Sequence, residues 1–513
     1  MGEPNSSLDK QTLDKDLEKF GFFESATQFV LHRAAAPGLA LIFLAACAVF
    51  ASLFTAVSTE SVVIVAAAVL AAYMAMNIGA NDVTNNVGAA VGARAISMSG
   101  ALVLAAFCEI AGALIAGDNV VATIKSEIVS PLQLPGVNQT VDIMMAALLA
   151  AALWINLATW INAPVSTTHS IVGAIMGAGA VVAGVDAVKW MSLARIALSW
   201  IVSPLLGAMI AIGFLWFIMD RITYRQDKIA AARTWVPVLL AVMAGSFLTY
   251  NLLITAHGIA DFHLWHAVLI GLFLGGASYV WFRDAIAKQS ALLENRNSSI
   301  KVLFRVPLIF SAALLSFAHG ANDVANAVGP LAAIVEAQGI QTVARNLDAP
   351  FWVLMIGALG ISTGLLLYGP RLIRIVGSQI TKLNPTRAYC VAMATAITVI
   401  LASALGLPVS TTHIAVGSVF GVGFFREWYI ANSARRRTYV ELKAAENETI
   451  TAEDPGLTED ADDNEATDVH EHRYRYLVRR SYLMSILAAW LVTVPVSGLL
   501  AALLALVMIH LPG

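Results

Sequence analysis

Charge is scarce in this chain. Of its 513 residues only 13% are Asp, Glu, Lys or Arg, about half the roughly 25% of soluble domains. A net charge of −3 offers no basic surface, so no nucleic-acid partner is expected. Cysteine is scarcer still: Cys47, Cys108 and Cys390 are the whole set, and each lies inside an apolar stretch. That excludes a disulfide framework and a cysteine metal centre, and leaves three small hydrophobes. An apolar run near the start is also missing, since the chain is polar to about Arg33. A cleaved signal peptide would place its hydrophobic core much earlier, so Leu39–Leu53 reads as a retained first span.

What the chain has instead is grease. Hydrophobic residues make up 58%, against roughly 45–50% in ordinary domains. Runs of about twenty apolar residues recur, each long enough to cross a hydrocarbon layer about 30 Å thick as a helix. Lipid offers the backbone no hydrogen bonds, so the expected fold is an all-α polytopic membrane bundle. Spans are expected near 37–56, 61–80, 99–117, 142–161, 193–219, 235–256, 263–281, 303–320, 351–369, 388–406 and 483–509, with two further segments at 164–183 and 408–425.

Against this background one polar phrase is written twice. PVSTTH occupies Pro164–His169 and again Pro408–His413, and glycines follow each copy at matching intervals: Gly173, Gly177 and Gly179, then Gly417, Gly421 and Gly423. Upstream lies a second pair, GANDVTNNVG at Gly79–Gly88 and GANDVANAVG at Gly320–Gly329. By difference of residue numbers, 84 residues lead from Asp82 to Ser166 and 87 from Asp323 to Ser410. Two motifs in one order at one spacing describe a duplication.

The units this implies are transport repeat 1 over 61–185 and transport repeat 2 over 303–425, joined by connecting spans over 193–281. A polar N-terminus (1–36) and an extra span (37–56) precede them; an acidic loop (426–480) and a last span (481–513) follow. Within that loop Glu441–Glu471 is acidic and poor in apolar residues, the composition of a solvated linker.

Lys and Arg collect in cytoplasmic loops. Arg221, Arg225, Lys228 and Arg233 mark one such loop, Arg283 to Arg305 a second, Arg371 to Arg387 a third, and Arg435 to Arg480 a fourth. The loops with Lys125, with Lys189 and Arg195, and with Arg345 are poorer and fall on the other side. These assignments agree only if each PVSTTH segment makes one net crossing. The two repeats then run in opposite directions, an inverted-topology pair with two re-entrant or broken helical hairpins.

Inverted repeats of this kind place a transporter's substrate near the midplane, where discontinuous helices meet. Gly79 and Gly320 are expected to let their helices break. Asp82 and Asp323 are carboxylates costly to bury in a membrane unless paired, protonated or bound to a cation. With the amide oxygens of Asn81, Asn85, Asn322 and Asn326 they form candidate Na⁺ or proton sites. PVSTTH has the opposite preference. A proline suits a helix start or the break before it, and the following hydroxyls and unpaired N–H groups make an anion seat without Lys or Arg. Ser166, Thr167 and Thr168 would donate to a tetrahedral oxyanion from one side, and Ser410, Thr411 and Thr412 from the other. One copy alone would pass for a capped helix; paired copies in register argue for a shared site. His169 and His413 are expected to pack or to hold neighbours rather than to bind.

These phrases closely resemble the signature repeats of the inorganic phosphate transporter (Pit) family, and Glu109–Gly117 followed by Val120–Ile124 is similar to that family's stretch after the first signature. The resemblance covers roughly residues 61–509. It implies about twelve family spans plus the extra one, no enzymatic activity, and a homodimer. It further implies a symporter that takes up inorganic phosphate with Na⁺ or H⁺ across the cell membrane. By the resemblance, the aspartates serve the coupling ion, the Ser-Thr-Thr triplets hold phosphate, and Glu109 and His319 are transport-critical candidates. No cofactor or metal is implied beyond a bound Na⁺. Where animal members carry a glutamate before the second hairpin this chain has Ala392, which removes that carboxylate from any coupling role. The extra span puts the N-terminus inside and the C-terminus outside. The alternatives are a sulfate permease of the same family, a passive channel, and an intramembrane hydrolase built on Ser166 or Ser410 with His169 or His413.

Overall fold

The computed structural model describes residues 35–55, 59–129, 137–161, 163, 165–255, 263–339, 349–376, 384–439, 441 and 480–510. The polar N-terminus, Pro164, the Arg345 loop and nearly all of the acidic segment lie outside these residues. Among the described residues eleven helices are long and apolar enough to cross a membrane, and they fall on the eleven long expected spans; the two further expected segments are the helices Thr167–Val182 and Thr411–Asn432, which are not among the eleven. In chain order they and their companions are α1 (Ala35–Ser52), α2 (Thr59–Val83), α3 (Met98–Ala116), the short α4 (Asp118–Ser126), α5 (Val137–Trp160) and α6 (Thr167–Val182). Next come α7 (Trp190–Ile218), α8 (Lys228–Thr255), α9 (Leu264–Ser290), α10 (Arg305–Asp323) and α11 (Ala325–Ala337). The last are α12 (Phe351–Val376), α13 (Pro385–Ala404), α14 (Thr411–Asn432) and α15 (Arg480–His510). The protein is an all-helical polytopic membrane bundle. Leu41, Phe107, Phe273 and Leu491, all at least two-thirds exposed, give it the apolar outer surface that lipid requires.

The helices pack in exchanged pairs. α2 lies on α12 as α10 lies on α3; α5 packs on α6 as α13 packs on α14; α15 covers α6 as α7 covers α14. Individual residues keep the same register. A Cβ on Gly79 would overlap the carbonyl oxygen of Ile361, and one on Gly364 that of Met76. Likewise a Cβ on Gly320 would overlap the carbonyl of Glu109, and one on Gly112 that of Phe317. Small residues let membrane helices approach to backbone contact. Each contact therefore has a twin, in which Gly79 answers to Gly320, Ile361 to Glu109 and Met76 to Phe317. The same logic pairs α7 with α15: Gly417 meets Pro204 and Gly421 meets Ala208, while Gly173 meets Val494 and Gly177 meets Gly498.

Both GAND phrases depart from regular helix, though not at the expected place. Gly79 and Gly320 sit inside α2 and α10, where their role is close approach. The ladder changes just after the aspartates instead, as a π turn at Thr84–Gly88 and a discontinuity at Val324 before α11 starts. π turns such as Thr84–Gly88 are frequent at functional sites.

Loops grouped by charge also touch. At one end Lys189 and Arg195 lie 3.6 and 3.7 Å from Glu127, and Lys125 lies 3.1 Å from Glu336. At the other, Arg435 pairs with Asp220, the Lys228 Nζ meets the Tyr439 hydroxyl at 2.7 Å, and Arg233 donates to Ser290.

Candidate functional site

α6 and α14 begin alike. Ser166 and Ser410 are their N-caps, extended residues whose Oγ accepts from the backbone N–H of His169 and His413 at 3.1 and 3.2 Å. Capping by serine satisfies one of the orphan donors of a helix start. Thr167, Thr168, Thr411 and Thr412 therefore emerge from first turns, all buried.

They emerge onto the aspartates. Thr412 donates to Asp82 Oδ1 at 2.8 Å, Thr411 donates to Asp323 Oδ2 at 3.2 Å, and the Thr167 hydroxyl lies 3.2 Å from Asp82 Oδ2 and 3.3 Å from Asp323 Oδ2. Thr167 has one hydrogen for these two acceptors. Asn85 donates to Asp82 and to Thr412 at 3.0 and 2.8 Å, and its counterpart Asn326 donates to Thr168 at 3.2 Å. Thr168 in turn donates to the Val409 carbonyl at 2.9 Å, which ties the two hairpin tips together. Asp82, Asp323, Asn85 and Asn326, expected to serve a cation, and Thr167, Thr168, Thr411 and Thr412, expected to serve an anion, thus form one hydrogen-bonded cluster, whereas the Ser166 and Ser410 hydroxyls cap their own helices.

Asn81 and Asn322 stand behind this cluster and brace it. Asn322 donates to Ser403 at 3.0 Å, and Asn81 meets Thr159 at 2.9 Å. With its oxygen turned to Thr159, the Asn81 nitrogen reaches Asp82 Oδ1 and the Val165 carbonyl. Thr159 and Ser403 were missed in the sequence, although each stands seven residues before its hairpin serine.

Glu109 and His319 belong to the cluster too. His319 Nδ1 is 2.9 Å from Glu109 Oε1, while Nε2 faces Asp323 Oδ2 at 3.2 Å and Asp82 Oδ2 at 3.7 Å. Asn86, also missed, donates to Glu109 at 2.6 Å. The twin positions read from the glycine contacts are Ile78, Ile361 and Ala327. The imidazole–carboxylate arm therefore exists on one side only, and a symmetric frame carries an asymmetric site.

Donor atoms of Asp82, His319 and Asp323 lie within 4.8 Å of one another, a span that a hard cation with ligand distances of about 2.3–2.6 Å bridges. Nearby acceptors stand without hydrogen-bond partners while buried: Asp323 Oδ1, Glu109 Oε2, Asn322 Oδ1 and Asn326 Oδ1. Buried oxygens left bare are costly.

The hairpin histidines pack, as expected. His169 lies on Trp200 with ring centroids 3.8 Å apart, His413 on Trp490 at 3.6 Å, and the two imidazoles meet edge-on at 4.4 Å. Their ring nitrogens have no hydrogen-bond partner among the described residues. No Ser–His pair forms from Ser166 or Ser410, whose hydroxyls contact only the histidine backbone among the described residues.

A family model described as the phosphate transporter family matches residues 78–501. The chain belongs to the phosphate transporter family. This membership places it among transporters, not enzymes. A Helicobacter pylori protein named "Putative phosphate permease" is 44% identical over 94% of this chain and 96% of its own. A Pyrococcus abyssi protein of the same description is 34% identical over 85% of this chain and 95% of its own. Among solved structures, "The sodium-dependent phosphate transporter" superposes with a TM-score of 0.74 at 32% identity, covering 88% of this chain and 100% of that one.

Proposed function

We propose that this family member is a secondary symporter that carries inorganic phosphate into the cell together with Na⁺. The observation that carries the reading is the direct hydrogen bonding of hairpin threonines to signature aspartates. A hydroxyl that donates to a carboxylate cannot donate the same hydrogen to phosphate. Sodium beside Asp82 and Asp323 takes over their charge, and the hydroxyls of Thr167, Thr411 and Thr412 are released toward an anion. Phosphate then meets donors from both helix starts, where partial positive charge also favours it. Cation and anion thereby help each other bind, the reciprocal coupling that symport needs.

Alternating access follows from inverted repeats facing each other across this cluster. Exchanged helix pairs and the charged loops gathered at two ends support that arrangement. The arginine-rich end is taken as cytoplasmic, which puts the N-terminus inside and the C-terminus outside; the chain is read as a homodimer of the cell membrane from its resemblance to the family. Coupling by Na⁺ rather than H⁺ is supported by the name of the structural neighbour.

The test is uptake of labelled phosphate into proteoliposomes under a Na⁺ gradient, a pH gradient or neither, with sulfate as competitor. Na⁺-driven accumulation is expected, and sulfate should compete weakly. Accumulation that ignores Na⁺ would overturn the sodium reading; none under any gradient would overturn symport. Thr411→Val should raise the apparent Michaelis constant for phosphate about tenfold, the loss of one hydrogen bond to a charged group. An unchanged constant would reduce Thr411 to a structural partner of Asp323.

A further inference from the structure

Away from the transport cluster, the arginine-rich end holds a concave pocket of about 500 Å³, lined among others by Arg221, Tyr224, Arg225, Gln226, Trp235 and Arg435. It lies where α7 unwinds into a π turn at Met219–Thr223 and the chain turns into α8, so it opens at the end of two membrane helices. Asp220 faces both Arg435 and Arg221, the latter at 3.2 Å. One carboxylate thus serves two guanidinium groups and leaves several of their ten N–H donors for another anion. Arg225 makes no ion pair among the described residues, and the Asp227 carboxylate is engaged with the Ala230 N–H at 2.8 Å. The Arg221 guanidinium sits 5.8 Å from the Trp235 ring centroid, which fixes it over an aromatic face. Tyr224 stacks on Tyr429 at 5.7 Å and touches Tyr439 edge-on, and this holds residues 434–439 against the turn.

We propose that this pocket seats the phosphate of an anionic lipid headgroup. Guanidinium forks match phosphate oxygens in pairs, and tryptophan at a helix end marks the boundary between water and hydrocarbon. Basic pockets between membrane helices on the positively flanked side bind such headgroups. Trp216, one turn before Asp220, and Met209 are more than half exposed, and they give α7 an apolar path for acyl chains leading away from the turn. A free phosphate ion would use the same arginines but not that path. The site stands apart from Asp82, Asp323 and the hairpins, so it adds a ligand to the transporter without competing for its substrate.

Native mass spectrometry of the purified full chain tests this, with phosphatidylglycerol or phosphatidylcholine added to the micelles and inorganic phosphate in a separate arm. The wild type should retain phosphatidylglycerol preferentially, and R221Q/R225Q should lose about tenfold of that preference while keeping its thermal stability. Arg435 is left in place so that its pair with Asp220 survives. Equal retention of both lipids by the wild type would overturn the proposal. So would phosphate adducts that depend on Arg221 and Arg225 without any preference between lipids, which would assign the pocket to a soluble anion.

Discussion

Asp323→Asn is expected to abolish Na⁺-driven accumulation of phosphate in proteoliposomes, and Asp82→Asn to do the same. Each substitution keeps the side chain's shape but removes a buried negative charge. An interaction with a charged group is worth about 1.5–3 kcal/mol, so the sodium concentration for half-maximal uptake should rise at least about tenfold. The two need not fail alike. Asp323 faces His319 at 3.2 Å and receives Thr411, whereas Asp82 is held by Asn85 and Thr412 and stands farther from the imidazole. Exchange of labelled for unlabelled phosphate, which needs no net ion movement, separates lost coupling from lost binding. Normal accumulation in both variants would refute the coupling assignment; accumulation lost in Asp323→Asn alone would confine it to the side that carries His319.

Much of this site could be read in the sequence because its parts are duplicated. Eleven hydropathy runs gave eleven helices, and the spacing of GAND to PVSTTH placed four polar segments in one neighbourhood. Sequence spacing does not show which side chains touch. Thr167 and Thr411 read equally well as anion donors or as partners of a carboxylate, and the choice needed their distances to Asp82 and Asp323. Thr159 and Ser403 differ in type, so their shared place seven residues before the hairpin serines was easily overlooked. Trp200 and Trp490 lie outside both motifs, on helices that the repeat boundaries left out.

Gly79 and Gly320 show the same limit from the other direction, for they are expected from sequence to let their helices break and instead serve as contact surfaces. Gly79→Ala and Gly320→Ala are therefore expected to prevent folding, because the added methyl would overlap a backbone carbonyl oxygen of the facing helix. A side chain can turn aside; a helix backbone can only move as a whole. Overpacking a core costs about 1–3 kcal/mol, occasionally more, and a clash with backbone belongs at the upper end. Gly213 and Gly276 supply the control, since a Cβ on either meets nothing within 4 Å. Alanine there should be neutral or stabilising by up to about 1 kcal/mol, the ordinary preference of a helix for alanine over glycine. Fluorescence-detected size exclusion of all four variants should give monodisperse peaks for Gly213→Ala and Gly276→Ala, and aggregated or absent protein for the other two. Gly79→Ala and Gly320→Ala should also fail together, because their contacts are twins. If one folds and transports like the wild type while the other does not, the correspondence of α2 on α12 with α10 on α3 is not the structural principle of the bundle.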